Sequence, residues 1–283
     1  MMKRWCLALF AAALLGILAP LAGGAKPQSF HFEILGDRTG EAQPGVYEEA
    51  WREAAADHPA FVLTVGDIIQ GGDDASARAE WTAVQRILKP YRAIPLYLTP
   101  GNHDIWSPAS EALFREFARH APHYSFDYRQ AHFTVLDNSR DDQLSDAEMA
   151  FLRKDLVAHA AQPVKFVLSH RPSWILDAMM RNPGFPVQHL AKKYGVGFVI
   201  AGHVHQMVHA SVDGVEYMSV PSAGGHLRAS KKYEDGWFFA HTDVEVSGSA
   251  VHFTIHELRP PYGEGRRSEL SEWGTAGLAN KRR

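Results

Sequence analysis

The chain has 283 residues, 46% of them hydrophobic and 11% aromatic, with a formal charge of −3. That apolar share supports a sizeable core and excludes general disorder, and the near balance of charge excludes the basic footprint of a nucleic-acid binder. A count of sixteen histidines prompts a search for metal ligands, because imidazole is the commonest of them.

In chain order, residues 1–25 read as a signal peptide. Lys3 and Arg4 give a positive start, Leu7 to Leu21 an apolar stretch, and Ala22-Gly23-Gly24-Ala25 small residues for cleavage. The apolar stretch is short for a membrane span and contains Pro20, so the expectation is export to the periplasm or medium; an uncleaved anchor is the lesser alternative. Cys6, the only cysteine, lies inside this segment, so the mature chain has no disulfide and depends on its core.

Residues 28–258 then carry one alternating pattern. Phe30 to Gly36, Phe61 to Val65 and Ile94 to Leu98 are apolar runs of strand length. Between and after them, Val46 to His58, Ser76 to Leu88 and Glu111 to His120 show helical spacing, with Tyr47, Ala50, Trp51 and Ala54 on one face of the first. Strand–helix alternation of this kind predicts βαβ units around a mainly parallel sheet, and hence an α/β fold. Each of the three strands ends in Gly followed by Asp or Asn, and right-handed crossovers bring such ends to one edge. Tyr124 to Asp127 and His132 to Leu136 are read as strands. Ser145-Asp146-Ala147-Glu148 is a capping-box pattern opening a helix that runs to Ala161. Val164 to Leu168 and Phe198 to Ala201 are further strands. The stretch from Pro172 to Pro186 has no clear period and is either a loop or short helices over the site, or a core-packing segment.

After Met207 the pattern changes to antiparallel hairpins: Val208 to Val212, Val215 to Val220, Phe238 to Val246 and Ala250 to His256. Asp213-Gly214 is a strong turn signal and Ser247-Gly248 a weaker one. These strands are expected to form a second sheet packed on the first. Residues 259–283, rich in Gly, Arg and Ser, are expected to be a flexible tail.

Strand ends carry the chemistry. Asp37, Asp67, Asn102 with His103, His170, and His203 with His205 each follow an apolar strand. Amides, imidazoles and carboxylates together can ligate a metal and move a proton, and open α/β sheets bind ligands at the carboxyl edge of their strands. His203 and His205 alternate, so they face one way only if the backbone between them is extended. Mixed ligands of this kind suit Mn, Fe, Zn or Co better than Ca.

The blocks Gly36-Asp37-Arg38-Thr39, Gly66-Asp67, Gly101-Asn102-His103-Asp104, Ser169-His170 and Gly202-His203-Val204-His205, in this order, resemble the calcineurin-like metallophosphoesterase superfamily. The resemblance covers roughly Phe30 to His256. It implies a four-layer αββα sandwich of two mixed sheets flanked by helices. It implies metal-dependent hydrolysis of a phosphomonoester or phosphodiester, small or lipid-linked, by a metal-activated water, with one or two divalent cations per chain. By resemblance Asp67 bridges two metals, Asp37 and His205 hold the first, Asn102, His170 and His203 hold the second, and His103 stands beside the leaving oxygen. Asp104 either orients His103 or merely forms the turn. One position departs from the family: where Asp-x-His is usual, the chain has Asp37-Arg38-Thr39, so the first metal lacks a histidine. Arg38 is either a phosphate partner or a surface arginine, and Thr39, Asp104 and His226 adjoin the expected substrate position. The alternative to an enzyme is a degenerate member that binds a phosphorylated ligand or a protein partner. Neither nucleic acid nor a stable membrane span in the mature chain is expected, and the oligomeric state is open.

Overall fold

The computed structural model describes residues 29–259, 265–273 and 276–277. The expected signal peptide therefore lies outside the described residues. The chain runs β1 (Ser29–Leu35), α1 (Val46–Ala56), β2 (Val62–Thr64), α2 (Asp74–Leu88), β3 (Leu96–Tyr97), α3 (Pro108–Ala118), β4 (Tyr124–Tyr128), β5 (Ala131–Val135), α4 (Asp146–Ala158), β6 (Val164–Leu168), α5 (Ile175–Met179), α6 (Pro186–Tyr194), β7 (Phe198–Ala201), β8 (Val208–Val212), β9 (Val215–Ser219), β10 (Phe239–Ser247), β11 (Ala250–Leu258), β12 (Arg267–Glu269) and β13 (Ala276–Gly277).

Two mixed sheets result. The first has six strands in the order β12-β11-β10-β1-β2-β3, and the second has seven in the order β13-β8-β9-β7-β6-β5-β4. The β1-β2-β3 set is parallel, as is β5-β6-β7-β9. The hairpins after Met207 do not make the second sheet by themselves. β8 and β9 extend the sheet that β4 to β7 have already built, while β10 and β11 return to pair with β1.

The strand period of two explains the layering. On β1, Phe30, Phe32 and Ile34 point between the sheets, where they meet Phe61 and Leu63 of the first sheet and Phe133, Phe166 and Leu168 of the second. Phe32 stacks on Phe61 at 4.9 Å and meets Phe133 edge-on at 5.2 Å. Leu35 points the other way, under Val46, Tyr47, Ala50 and Trp51 of α1. Helices α2 and α3 share Trp81, Val84 and Phe114, and the far face of the second sheet packs on α4 and α6. The order is helix, sheet, sheet, helix, as the resemblance implied. Each large apolar side chain so buried contributes roughly 1.5–3 kcal/mol.

Local signals fix the helix starts. Asp73 caps α2 and Ser107 caps α3, in a reciprocal box with Ser110. Ser145 caps α4 through the Glu148 amide, but the expected box is only half formed. The Glu148 carboxylate turns instead to the Asp137 amide and His123. Between Pro172 and Pro186 the chain forms a short helix, with Trp174 and Phe185 buried against Tyr217 on the outer face of the second sheet. The tail expectation fails in part. β12 pairs with β11, and Trp273 is buried against Tyr233 and Phe238. The aperiodic sequence hid a segment anchored by a single aromatic. No helix among the described residues is long and apolar enough to cross a membrane.

Candidate metal centre

The carboxyl ends of β1, β2, β3, β6 and β7 converge at one edge of the two sheets, and each delivers a polar residue there. Asp37 follows β1 and is fully buried. Both its carboxylate oxygens accept from the His203 amide, at 2.9 and 3.0 Å. Asp67 follows β2 in a left-handed conformation, φ 57°, behind Gly66 at φ 104°. A side chain at Gly66 would strike the His170 ring, and one at Gly101 would strike Asp67 itself. The two glycines are thus what let three strand ends close on one point.

Asp67 Oδ1 accepts from the His103 amide at 2.9 Å. Its other oxygen, Oδ2, is buried and makes no hydrogen bond, although His170 Nε2 lies 3.2 Å away and His103 Nε2 4.0 Å away. His170 donates from Nδ1 to the Val65 carbonyl at 2.8 Å, which turns Nε2 toward Asp67, Asn102 Oδ1 at 3.0 Å and His203 Nδ1 at 3.2 Å. His205 donates from Nδ1 to the His226 carbonyl at 2.8 Å, leaving Nε2 buried, unpartnered and 3.6 Å from Asp37 Oδ1. In both rings one nitrogen is anchored on a carbonyl and the other is free to ligate, as is usual for metal-binding histidines.

The donor atoms of Asp37, Asp67 and His205 lie within 4.8 Å of one another, and so do those of Asp67, His170 and His203. The two groups share Asp67. A carboxylate oxygen and an imidazole nitrogen, both buried and unpartnered, are costly unless something cationic satisfies them. The residues present therefore fit a pair of divalent cations. Without metal the proton substitutes. Burial works against a charged His170, but the Asp67 carboxylate 3.2 Å from its Nε2 raises it to about 9. Burial likewise works against ionised Asp67, and His170 and then His103 overcome it and hold the carboxyl low. His203 is held down to about 4 by burial and by the His170 charge. Metal uptake must displace the His170 proton.

His203 and His205 do not reach the site on extended backbone. Both lie in left-handed conformations, φ 66° and 60°, so successive turns present the two rings. Asp104 differs from expectation too. It is fully buried and accepts the amides of Asp67, Ile68, Ile69 and Gly101 at 2.8–3.2 Å. Burial and the Asp67 charge raise its carboxyl to about 6. It ties the β2 and β3 loops together, with no hydrogen bond to His103 and no surface to offer a substrate. His103 is instead held through Nδ1 by the Gln70 carbonyl, with a quarter of its side chain exposed.

Thr39 is buried, and its hydroxyl donates to Gln70 Oε1 at 2.6 Å. Arg38 donates to the Ile68 carbonyl at 3.0 Å and lies over the Tyr47 ring. His226 donates from Nδ1 to the Gly40 carbonyl, with its ring centroid 5.9 Å from that of His205. Two supports were not anticipated from sequence. Gln70 grips both Thr39 and His103. Asn138 Oδ1 accepts the amides of His170 and Arg171, at 3.1 and 3.0 Å. Asn138 follows an apolar strand, β5, just as the other site residues follow theirs, and that was the available signal.

Comparison with known proteins agrees with this geometry. The family model for calcineurin-like phosphoesterases matches residues 31–207. The chain is 25% identical over 246 residues to the 3',5'-cyclic adenosine monophosphate phosphodiesterase CpdA of Haemophilus influenzae, covering 81% of this chain and 86% of that protein. It is 27% identical over 223 residues to CpdA of Escherichia coli K12, covering 72% and 78%. Among solved structures, purple acid phosphatase PPD1 from yellow lupin, Lupinus luteus, superposes with a TM-score of 0.62 at 15% identity, covering 88% of this chain but only 53% of that one. A dimetal phosphatase from Danio rerio gives 0.60 at 11% identity, covering 85% and 98%. With that match over most of the chain, and with two donor groups sharing one carboxylate at the strand ends, the chain belongs to the calcineurin-like phosphoesterase family.

Proposed function

We propose that this chain is a metal-dependent phosphodiesterase whose first substrate class is a nucleotide phosphodiester. The observation that carries the reading is the pair of donor groups joined at Asp67, with the partly exposed imidazole of His103 at their rim. Asp37, Asp67 and His205 would hold one cation, and Asp67, Asn102, His170 and His203 the other. Such a pair, when bound, supplies Lewis-acid polarisation of a phosphoryl oxygen and acidification of a water. The chain's own residues do the rest. The Gln70 carbonyl accepts from His103 Nδ1–H, so that Nε2 is turned toward the donor groups, 4.0 Å from Asp67 Oδ2, where it would deliver a proton to the leaving alkoxide. Asp104, through four backbone amides, holds Asp67 and Gly101 in register. The similarity to the two CpdA proteins, over most of each chain, supports the diester class; the signal-peptide pattern supports export.

The test is hydrolysis of bis(p-nitrophenyl) phosphate, p-nitrophenyl phosphate and 3',5'-cyclic AMP by protein stripped of metal and then reloaded with manganese. The expected result is manganese-dependent turnover with the diesters preferred. Preference for the monoester would move the reading to a phosphatase. No turnover of any ester, with metal bound, would favour the second reading, a non-catalytic binder. Thr39, standing where the family usually has histidine, is the observation behind that alternative.

A further inference from the structure

On the outer edge of the second sheet, remote from the strand ends that build the metal centre, a second cluster stands on β4, β5 and the end of α4. His132 is fully buried at the start of β5 and touches a carboxylate at each ring nitrogen. Nε2 is 2.8 Å from Asp155 Oδ2, and Nδ1 is 2.7 Å from Asp127 Oδ1. Asp155 is also buried, and its oxygens accept from Ser125 and Thr134 hydroxyls, at 2.7 and 2.6 Å. One helical turn on, His159 places Nδ1 2.9 Å from the Asp155 carbonyl, and its Nε2 stands 4.0 Å from Asp127 Oδ2.

We infer that Asp127, His132 and His159 form a further site for a single zinc-class cation. Three features support it. The donor atoms of the three lie within 4.8 Å of one another. Donors around a tetrahedral zinc stand about 3.4 Å apart, so modest contraction suffices. Each imidazole has its far nitrogen fixed as a donor, His132 to the Asp155 carboxylate and His159 to the Asp155 carbonyl. That leaves Nδ1 of His132 and Nε2 of His159 to ligate, and the carboxylate–imidazole pair is the support that zinc histidines commonly have. Asp127 is 44% exposed and His159 31% exposed, so a cation has an entry path and water can complete the shell.

The two rings lie face to face, centroids 3.8 Å apart. Ligation therefore requires one ring to turn out of the stack; His159, 31% exposed, can do so by giving up the hydrogen bond from its Nδ1 to the Asp155 carbonyl, while His132 keeps its Asp155 partner. The cation replaces the proton that otherwise joins His132 to Asp127. It ties the β4–β5 hairpin to the end of α4.

The test is zinc content after equilibrium dialysis of the full chain, comparing parent with His159→Gln and Asp127→Asn. The metal centre is intact in all three, so the shared zinc cancels. The parent should hold one more zinc per chain than either variant, while the metal-free far-ultraviolet circular dichroism and phosphodiester turnover of all three agree. Cobalt substitution gives a second readout, a tetrahedral visible band that loses the same increment in both variants. Equal zinc content and equal cobalt spectra in parent and variants would overturn the inference and leave the cluster as a carboxylate–imidazolium ion pair.

Discussion

His103 sits beside Asn102 in sequence, yet the two side chains face different tasks. Asn102 Oδ1 lies against His170, inside the donor cluster, while His103 is held by the Gln70 carbonyl and reaches no closer than 4.0 Å to Asp67 Oδ2. His103→Ala should therefore keep its metal content and lose roughly 10²–10⁴-fold in turnover, the range for removing a general acid. Metal lost in step with activity would make His103 a ligand instead. Thr39 poses the opposite case. Its hydroxyl is spent on Gln70, so the first donor group has Asp37, Asp67 and His205 alone. More imidazole ligands bind a first-row cation more tightly. Thr39→His should raise manganese retained after dialysis toward two per chain, and unchanged retention would show that residue 39 does not face the first cation. At this scale the sequence displayed the residue types but not their directions. The sequence allows Asp104 to orient His103, and only the fold shows its carboxylate turned back onto four amides. That choice depends on the left-handed turn at Asp67, which no local pattern in the chain announces.

The elements were legible where a period existed and a turn residue ended it. Asp213 and Gly214 both adopt positive φ, 52° and 81°, the primed turn that the pair predicted, and β8 and β9 follow from it. What periodicity cannot carry is which sheet a hairpin joins. β8 and β9 are as alternating as β10 and β11, yet they enter different sheets, because partner choice is made by the long crossovers and not by the strands. The segment after Leu258 shows the same limit from the other side. It has no period, but Trp273 donates to Ser268 Oγ at 2.9 Å, its carbonyl accepts from His209 at 2.8 Å, and its ring packs on Phe238. One buried aromatic is worth more than a run of weakly apolar residues. Trp273→Ala should cost about 3–5 kcal/mol, which corresponds to a fall in Tm of about 10 °C for a domain of this size. A melt within about 2 °C of the parent would show that the segment does not contribute to the core.

Across the whole molecule the inter-sheet core is apolar, and buried charge lies outside it: at the strand ends, beside the second sheet at His132 and Asp155, and on the outer face of the first sheet. Glu33, on the β1 face turned away from the other sheet, accepts from His241 Nδ1 at 2.8 Å, and both side chains are essentially inaccessible. Glu53 of α1 stands 3.6 Å from His241 Nε2, and His256, Asp57 and Arg267 surround the pair. Burial works to discharge His241, but the hydrogen bond to Glu33 and the charges of Glu33 and Glu53 override it and raise the ring from 6.5 to about 9. His256 beside it is held down to about 4, by burial and by the His241 charge. A group that binds its proton more tightly when folded stabilises fully below its unfolded pKa, and that contribution is lost as pH rises through the folded value. The window is thus from about 6.5 to about 9, and the whole contribution is at most on the order of 3 kcal/mol. The Tm should fall by several degrees between neutral pH and the top of that window, and His241→Gln should flatten the fall while lowering the neutral value. The comparison belongs in metal-loaded protein, because the His170 proton titrates in the same window when the centre is empty of cations. A decline of equal size in parent and variant would show that the Glu33–His241 pair does not link stability to pH.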